Sequence, residues 1–457
     1  MAFDLGELLE ARRGENYELQ AKYVNQQVPR VLRAIGFDKI YDLADGCYLI
    51  DNEGNRYLDM LAGFGVFALG RNHPVVRKAL KDLLDTGLAD MVQFDAPLLA
   101  GIFAEKLLAR APGLDRVFFC NSGSESVEAA LKFARAATGK PRILYVDHAY
   151  HGLTLGTLSV NGSEEFRRGF GPLLPDTAIQ MGDLDALRRE LRKGDVAALL
   201  MEPIQGKGVN IPPSGFMAAA QAELRAHGAL LICDEVQTGV GRTGKFFAYE
   251  HEGVQPDIVA VAKALSGGFV PIGATMATKA VFDKVYSSMD RVFVHASTFM
   301  GNAMAMTAGL ATLSVVDDEG LVENAEKTGR LLLERLQPLV DRYELLADVR
   351  GRGLMVGIEF GKPKSMKLRA SWNMLQAARH GLFAQMVVVP LFQRHRVLTQ
   401  VAGDHADIIK LIPPLVTSEA EVDLFVEAFT NVMDDAHRGT GLMWDFGRTL
   451  ITQAVKR

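Results

Sequence analysis

Lys263 closes an apolar run, Ile258-Val259-Ala260-Val261-Ala262, and stands just before the small, pliant turn Ser266-Gly267-Gly268. Burial lowers a lysine pKa because the ammonium loses hydration, and a neutral amine can condense with a carbonyl to form a Schiff base. Asp234 closes a second apolar run, Ala229-Leu230-Leu231-Ile232-Cys233, and offers the matching negative charge. A Schiff-base lysine paired with an aspartate for a pyridinium nitrogen is the combination that pyridoxal phosphate chemistry uses.

Four further segments set polar residues directly after strand-like runs or before helices. Asn121-Ser122-Gly123-Ser124-Glu125 precedes an amphipathic stretch, so its backbone N–H groups and helix dipole suit a phosphate. The alternative is a plain capping turn with Ser124 as the cap. Asp147-His148-Ala149-Tyr150-His151-Gly152 offers Tyr150 as a ring to stack on a flat cofactor, or as ordinary packing. His151 reads equally well as a surface histidine, and no metal site is expected from its spacing. Glu202, in Met201-Glu202-Pro203-Ile204-Gln205-Gly206, puts a carboxylate where a cationic cofactor would partner it. Ser297 and Thr298 either cap the helix that follows or donate to a phosphate.

Gly239-Val240-Gly241-Arg242-Thr243-Gly244-Lys245-Phe246 matches G-x-G-x-x-G and nearly matches a nucleotide phosphate loop. Phe246 stands where such a loop needs Ser or Thr for magnesium, and no helix is expected after it. These glycines are read as a turn.

The candidate residues need a scaffold that sets strand ends side by side. From residue 74 onward, strand candidates fall at 116–119, 142–146, 178–181, 196–201, 230–233, 258–262 and 273–277, with amphipathic helices such as 124–138 and 216–227 between them. Repeated βα units imply an α/β fold with a mostly parallel seven-stranded sheet between helices, and ligands at the strands' carboxyl ends. The chain reverses between 261 and 273, bringing in an antiparallel member. A polar helix is expected from 7 to about 33, two short strands over 48–59, a long helix over 321–343 and a strand at 353–360. Met386-Val387-Val388-Val389-Pro390-Leu391-Phe392 is short, β-branched and interrupted by proline, and reads as a core strand. The expected units are an N-terminal segment 1–70, a large cofactor domain 71–317 and a C-terminal part 318–457. Both chain ends join in one smaller α+β domain, because two small pieces bury more together than apart.

The 457 residues are 48% hydrophobic and 23% charged, with a net charge of -5, which describes a globular protein and gives no basis for a nucleic-acid or membrane partner. No apolar stretch reaches the ~18 residues that span a bilayer. Cys47, Cys120 and Cys233 are odd in number and lack metal-ligand spacing; Cys120 and Cys233 close apolar strands and read as buried thiols, which fits a reducing compartment. The acidic start has no secretion-signal core, and a cytoplasmic location is expected.

Taken in order, these motifs resemble the class III, fold-type I pyridoxal phosphate aminotransferases, with most similarity to the putrescine, ornithine and 4-aminobutyrate types. The resemblance runs from Asp45 to about Glu419. It rests on Leu58-Asp59 with the glycine-aromatic segment 63–70, Asn121 to Glu125, Tyr150-His151-Gly152, Glu202 to Gly206, Asp234 to Gly239 with Gly241-Arg242-Thr243-Gly244, Lys263, Ser297-Thr298-Phe299 and Pro413-Pro414-Leu415. It implies pyridoxal 5'-phosphate as cofactor and a homodimer with the active site at the subunit interface, with pairing of dimers left open. It implies that Lys263 carries the cofactor as a Schiff base and moves the proton, while Asp234 pairs with the pyridine nitrogen. Ser122, Gly123 and Ser124 would hold the phosphate, joined by Thr298 from the second subunit. Tyr150 and Val236 would pack the two ring faces and Gln237 would bond the phenolic oxygen, with His151 and Glu202 nearby.

Two positions depart from the family pattern. Users of α-amino acids carry Arg in the 408–411 segment; this chain has Lys410, a point charge without the guanidinium fork. Ornithine-type members carry Glu after Glu-Pro-Ile-Gln-Gly; this chain has Lys207. With Phe64 and Phe67, and with Met300 and Met386 beside them, these lysines form the substrate-facing set. They suggest an apolar pocket for an unbranched amine or ω-amino acid, with ordinary core as the alternative for the apolar members. The implied function is ping-pong transfer of an amino group from such a donor to a 2-oxo acid, pyruvate or 2-oxoglutarate. A racemase or aminomutase on the same scaffold shares every motif, and a nucleotide-binding regulator built on the Gly239 loop is the non-catalytic alternative.

Overall fold

The computed structural model describes residues 3–92, 95–378, 380–403 and 406–438. Seven strands, numbered here within their own sheet, form its centre: β1 Arg116–Cys120, β2 Arg142–Val146, β3 Thr177–Ile179, β4 Val196–Met201, β5 Leu230–Asp234, β6 Ile258–Val261 and β7 Gly273–Ala277. Their order is β1-β7-β6-β5-β4-β2-β3. Neighbours are parallel except around β7, which runs antiparallel to both β1 and β6, so the expected reversal before Gly273 is present.

The strands read as unbroken apolar runs because both faces are covered. Alternate residues of β6 divide between two cores: Val259 and Val261 join one cluster, Ile258 and Ala260 the other. The helix Gly123–Thr138 packs Val127, Leu131 and Phe133 into the second cluster. The helices Phe216–Ala226 and Ala303–Asp318 cover the first. Cys120 and Cys233 are buried and free, as the sequence suggested, and so is Cys47.

A third core joins the two ends of the chain. Cys47, Leu58 and Met60 pack against residues between Leu332 and Ala436. The strand Arg56–Asp59 pairs in parallel with Val397–Leu398, and a separate antiparallel sheet contains Leu346–Arg352, Met355–Phe360, Ile408–Leu411 and Gln400–Val401. Residues 439–457 of the expected C-terminal unit lie outside the described residues.

Two expectations are corrected. The 386–392 patch lies in a helix, Leu382–His395, not a strand. Every residue from Leu382 to Phe392 except Gln385 is buried there, so the segment is apolar on all sides rather than on alternate ones. Strand propensities span only ~1 kcal/mol, and burial of this size overrides them, even with Pro390 inside the helix. The N-terminal helix is also broken into Leu5–Ala11, Asn16–Leu19, a π-helical turn Gln20–Val24 and Gln27–Ile35. The first piece ends at its cap Arg12 and the chain then turns through Gly14 at φ +91; with Pro29 the only buried residue of these helices, little packing holds them in line.

The Gly239–Gly244 glycines form turns, as expected, and the buried Arg242 gives those turns a purpose. Its guanidinium donates to Leu354 O at 3.2 Å and to Pro413 O, tying the central sheet to the C-terminal unit. Gly329, on the helix Leu321–Arg342, presses against the backbone of Gly353, leaving no room for a Cβ. Gly329→Ala should therefore destabilise the protein by about 1–3 kcal/mol through overpacking, read as a lower urea midpoint. Gly101→Ala, in a helix with open space around it, should cost nothing.

Candidate active site

Four neighbouring strands, β2, β4, β5 and β6, run in the same direction, so the residues after them meet along one sheet edge. Asp234 ends β5 and is buried. One of its oxygens accepts from the Val236 N–H at 3.0 Å, and the other faces His151 Nδ1 at 2.7 Å. An ionised carboxylate only accepts, so the histidine proton belongs on Nδ1. The His151 backbone N–H donates to Asn161 Oδ1 at 2.7 Å, and its Nε2 is buried without a partner. The surface reading of His151 is thus corrected: this histidine is buried as the partner of Asp234.

Lys263 follows β6 and opens the 3-10 turn Lys263–Ser266 at φ +44. A non-glycine residue in that region stores about 1–3 kcal/mol of strain, which its surroundings must hold in place. Phe67 and Leu69 do so by packing against Gly268 and Gly267, the end of the same turn. The lysine keeps partial access to solvent, yet the loss of hydration lowers its pKa, with Asp234 and Glu202 opposing the shift. Glu202, just after β4, accepts from the Gly206 N–H at 2.9 Å and the Tyr150 N–H at 3.2 Å. Burial pushes its carboxyl upward; His151 opposes this and Asp234 reinforces it.

Ser122, not Ser124, caps the helix Gly123–Thr138, its hydroxyl accepting from the Glu125 N–H at 3.2 Å. Gly123 and Ser124 are thereby left at the helix start. A Cβ on Gly123 would come within 2.8 Å of Val236, and one on Gly152 would strike the Ser124 hydroxyl, so this end of the site is packed closely around small residues. Neither Ser297 nor Thr298 caps the helix Ala303–Asp318; Asn302 does. Ser297 accepts from Asn121 Nδ2 at 2.8 Å, while Thr298 is exposed.

Lys410 reaches the site from the strand Ile408–Leu411 and is buried. Its Nζ donates to Gly206 O at 2.8 Å and to Gln237 Oε1 at 3.2 Å, and Gln237 Nε2 donates to Phe64 O at 3.0 Å. Phe64 O can only accept, so it fixes the Gln237 amide with Nε2 toward Phe64 and Oε1 toward Lys410. Lys207 lies 4.0 Å from the centre of the Phe166 ring and 5.8 Å from that of Tyr150. It also lines a cavity of about 730 Å³ together with His148, Glu164, Arg168 and Ile408. Phe64 is 52% exposed, in a segment where Ala62, Gly63, Phe64 and Gly65 all have positive φ. Met300 is also exposed, whereas Met386 is fully buried in the third core, away from any pocket role. Sequence reasoning missed Phe166 and the Lys410–Gln237 bond; no local motif marks either.

The family described as Aminotransferase class-III matches residues 36–433. The chain belongs to that family. It is 38% identical over 448 residues to Aminotransferase PigE from Serratia sp. (strain ATCC 39006), an alignment covering 91% of this chain and 52% of the relative, so the chain spans about half of that relative's length. The ornithine aminotransferase of Toxoplasma gondii ME49 superposes with a TM-score of 0.84 at 27% identity, covering 96% of this chain and 100% of that one. An amine transaminase from an uncultivated Pseudomonas species, in its PLP-bound form, superposes with a TM-score of 0.75 at 31% identity, covering 87% and 95%. The fold is therefore the fold-type I architecture of this family, and pyridoxal 5'-phosphate is the family's cofactor. The residues here fit it, with a histidine-backed carboxylate, a desolvated amine and a tightly packed start of a helix gathered at one edge.

His151→Ala removes a charge-assisted hydrogen bond of about 1.5–3 kcal/mol from Asp234. The expected outcome is cofactor dissociation about ten- to a hundredfold easier, measured by release on dialysis or by fluorescence titration.

Proposed function

We propose that this protein transfers an amino group from a primary amine or ω-amino acid to a 2-oxo acid in two half-reactions. The observation that carries the reading is that three neighbouring parallel strands end in Glu202, Asp234 and Lys263, with Asp234 held by His151 Nδ1 at 2.7 Å. Pyridoxal phosphate supplies, when bound, an aldehyde that condenses with amines and a ring that draws electrons from the bond being broken.

The chain's own residues do the rest. Lys263 would hold the cofactor through its Nζ, and that same nitrogen would carry the proton away from the donor carbon. Loss of hydration shifts that amine toward its neutral form, the form that can take up a proton. Asp234 would set its charge against the ring nitrogen, and His151 holds Asp234 in direction. Gln237 would donate to the ring's oxygen and Tyr150 and Val236 would enclose the ring, while Glu202 steadies the Tyr150 backbone. Ser122, Gly123 and Ser124 would form the phosphate end, with Thr298 contributed by a second copy. Phe64 and Phe67 face the donor's chain, and Lys207 and Lys410 face its acidic counterpart in the acceptor.

A homodimer belongs to this reading. Leu88, Met91 and Val92 on one segment and Phe293, Phe299 and Met300 on another are exposed apolar residues. Asp90 accepts from the Ala303 N–H at 2.9 Å, which holds the two segments side by side, and a second copy would cover them. Among the described residues no helix is long and apolar enough to cross a membrane. The buried free thiols favour a cytoplasmic setting.

Lys263→Ala should abolish transfer of the amino group to pyruvate and remove the absorbance of covalently held cofactor. Near wild-type turnover in that variant would sink the proposal. Conversion of the donor without consumption of any 2-oxo acid would favour an isomerase instead.

A further inference from the structure

Residues 59–71 close on themselves around one buried carboxylate. Asp59 Oδ1 accepts from the Ala62 N–H at 2.7 Å and the Leu61 N–H at 3.1 Å, while Oδ2 accepts from Arg71 Nη2 at 2.8 Å and Nε at 3.1 Å. The two backbone bonds fall at the start of a left-handed stretch, in which Ala62, Gly63, Phe64 and Gly65 run from φ +48 to φ +87. Residues with a Cβ, such as Ala62 and Phe64, avoid that region because the Cβ crowds the carbonyl oxygen, so fixed bonds must hold the stretch in place. From the other end of the segment Arg71 lays its guanidinium over the Phe67 ring, 3.9 Å from its centre. That ring is wedged between two glycines. A Cβ on Gly63 would lie 2.8 Å from one edge, and a Cβ on Gly268 would strike the opposite edge. Gly268 follows the 3-10 turn that opens with Lys263 at φ +44.

Resting on the aminotransferase reading, we propose that Asp59 and Arg71 are the positioning pair of this site, one ion pair that sets the Phe64 wall and the Lys263 nitrogen together. Asp59 acts on the substrate side. It pins the N–H groups from which the left-handed stretch starts, so the Phe64 carbonyl stays in reach of Gln237. Arg71 acts on the chemical side, pressing Phe67 against the backbone beside the Lys263 turn. Neither side chain has to touch substrate or cofactor. The two roles draw on different properties of the guanidinium. Its charge serves Asp59, and a lysine can supply that; its flat face serves Phe67, and a compact ammonium does not match it. Removing the charge altogether would leave the buried Asp59 without its counter-charge.

The test uses holoenzyme of Arg71→Lys, Arg71→Gln and Phe67→Leu. Titrating the absorbance of the covalently held cofactor against pH reports on Lys263, and the KM for a primary-amine donor reports on the Phe64 wall. Arg71→Gln should move the absorbance midpoint by about half a pH unit or more and raise that KM about fivefold or more. Arg71→Lys should move the midpoint by a similar amount while its KM stays within about twofold of wild type, because the ion pair survives. Phe67→Leu, with the ion pair whole, should also move the midpoint. Hydrogen exchange needs no turnover: it should quicken over 263–268 in both Arg71 variants, over 61–65 in Arg71→Gln alone, and nowhere in the strand Val196–Met201. An unmoved midpoint in Arg71→Lys and Phe67→Leu, a KM raised about fivefold in Arg71→Lys, or exchange quickened equally in Val196–Met201 would overturn the proposal. Should Arg71→Gln fail to fold, the other two variants decide the matter. None of these results touches the aminotransferase reading, which fails separately if the wild type transfers no amino group.

Discussion

Burying an amine beside carboxylates is the constraint to which the rest of this structure answers. An isolated ammonium in the interior costs several kcal/mol, and so does an isolated carboxylate. Lys263, Asp234 and Glu202 offset one another only because three strands deliver them to the same edge. Each anion has its own fixed donors: His151 and the Val236 N–H for Asp234, and the Gly206 and Tyr150 N–H groups for Glu202. Those donors come from the backbone or from a buried ring, so the charges stay where the chemistry needs them without relying on mobile side chains.

Much of this was legible in the sequence, for a physical reason. Charged residues at the ends of long apolar runs conflict with their surroundings, and Lys263, Asp234 and Glu202 stand out for that conflict. The strands were legible because burial on both faces leaves them uniformly apolar. What stayed hidden depends on distance in space. Nothing near His151 in the chain announces Asp234, which is 83 residues away, and nothing near Lys410 announces Gln237, which is 173 away. The Leu382–His395 helix was misread because a segment buried all round has no period to report, which left β-branched content as the only cue.

The C-terminal unit does more than complete a second core. Through the strand Ile408–Leu411 it inserts Lys410 into a site otherwise built by the central sheet, and Lys410 in turn donates to Gln237, which donates to the Phe64 loop. On the proposed function, Lys410 and Phe64 would meet the substrate from parts of the chain other than the one that carries Lys263 and Asp234.

Arg242 limits how the molecule can move. Its guanidinium is fully enclosed, burial pushes it down to about 9, and two carbonyls of the C-terminal unit hold it. Swinging the two bodies apart would pull that group off its acceptors with no water to replace them, so the joint behaves as a weld rather than a hinge. On the proposed function, a substrate would then enter by displacement of local loops, such as the one around Phe64 with its run of positive φ, more readily than by separation of the two parts.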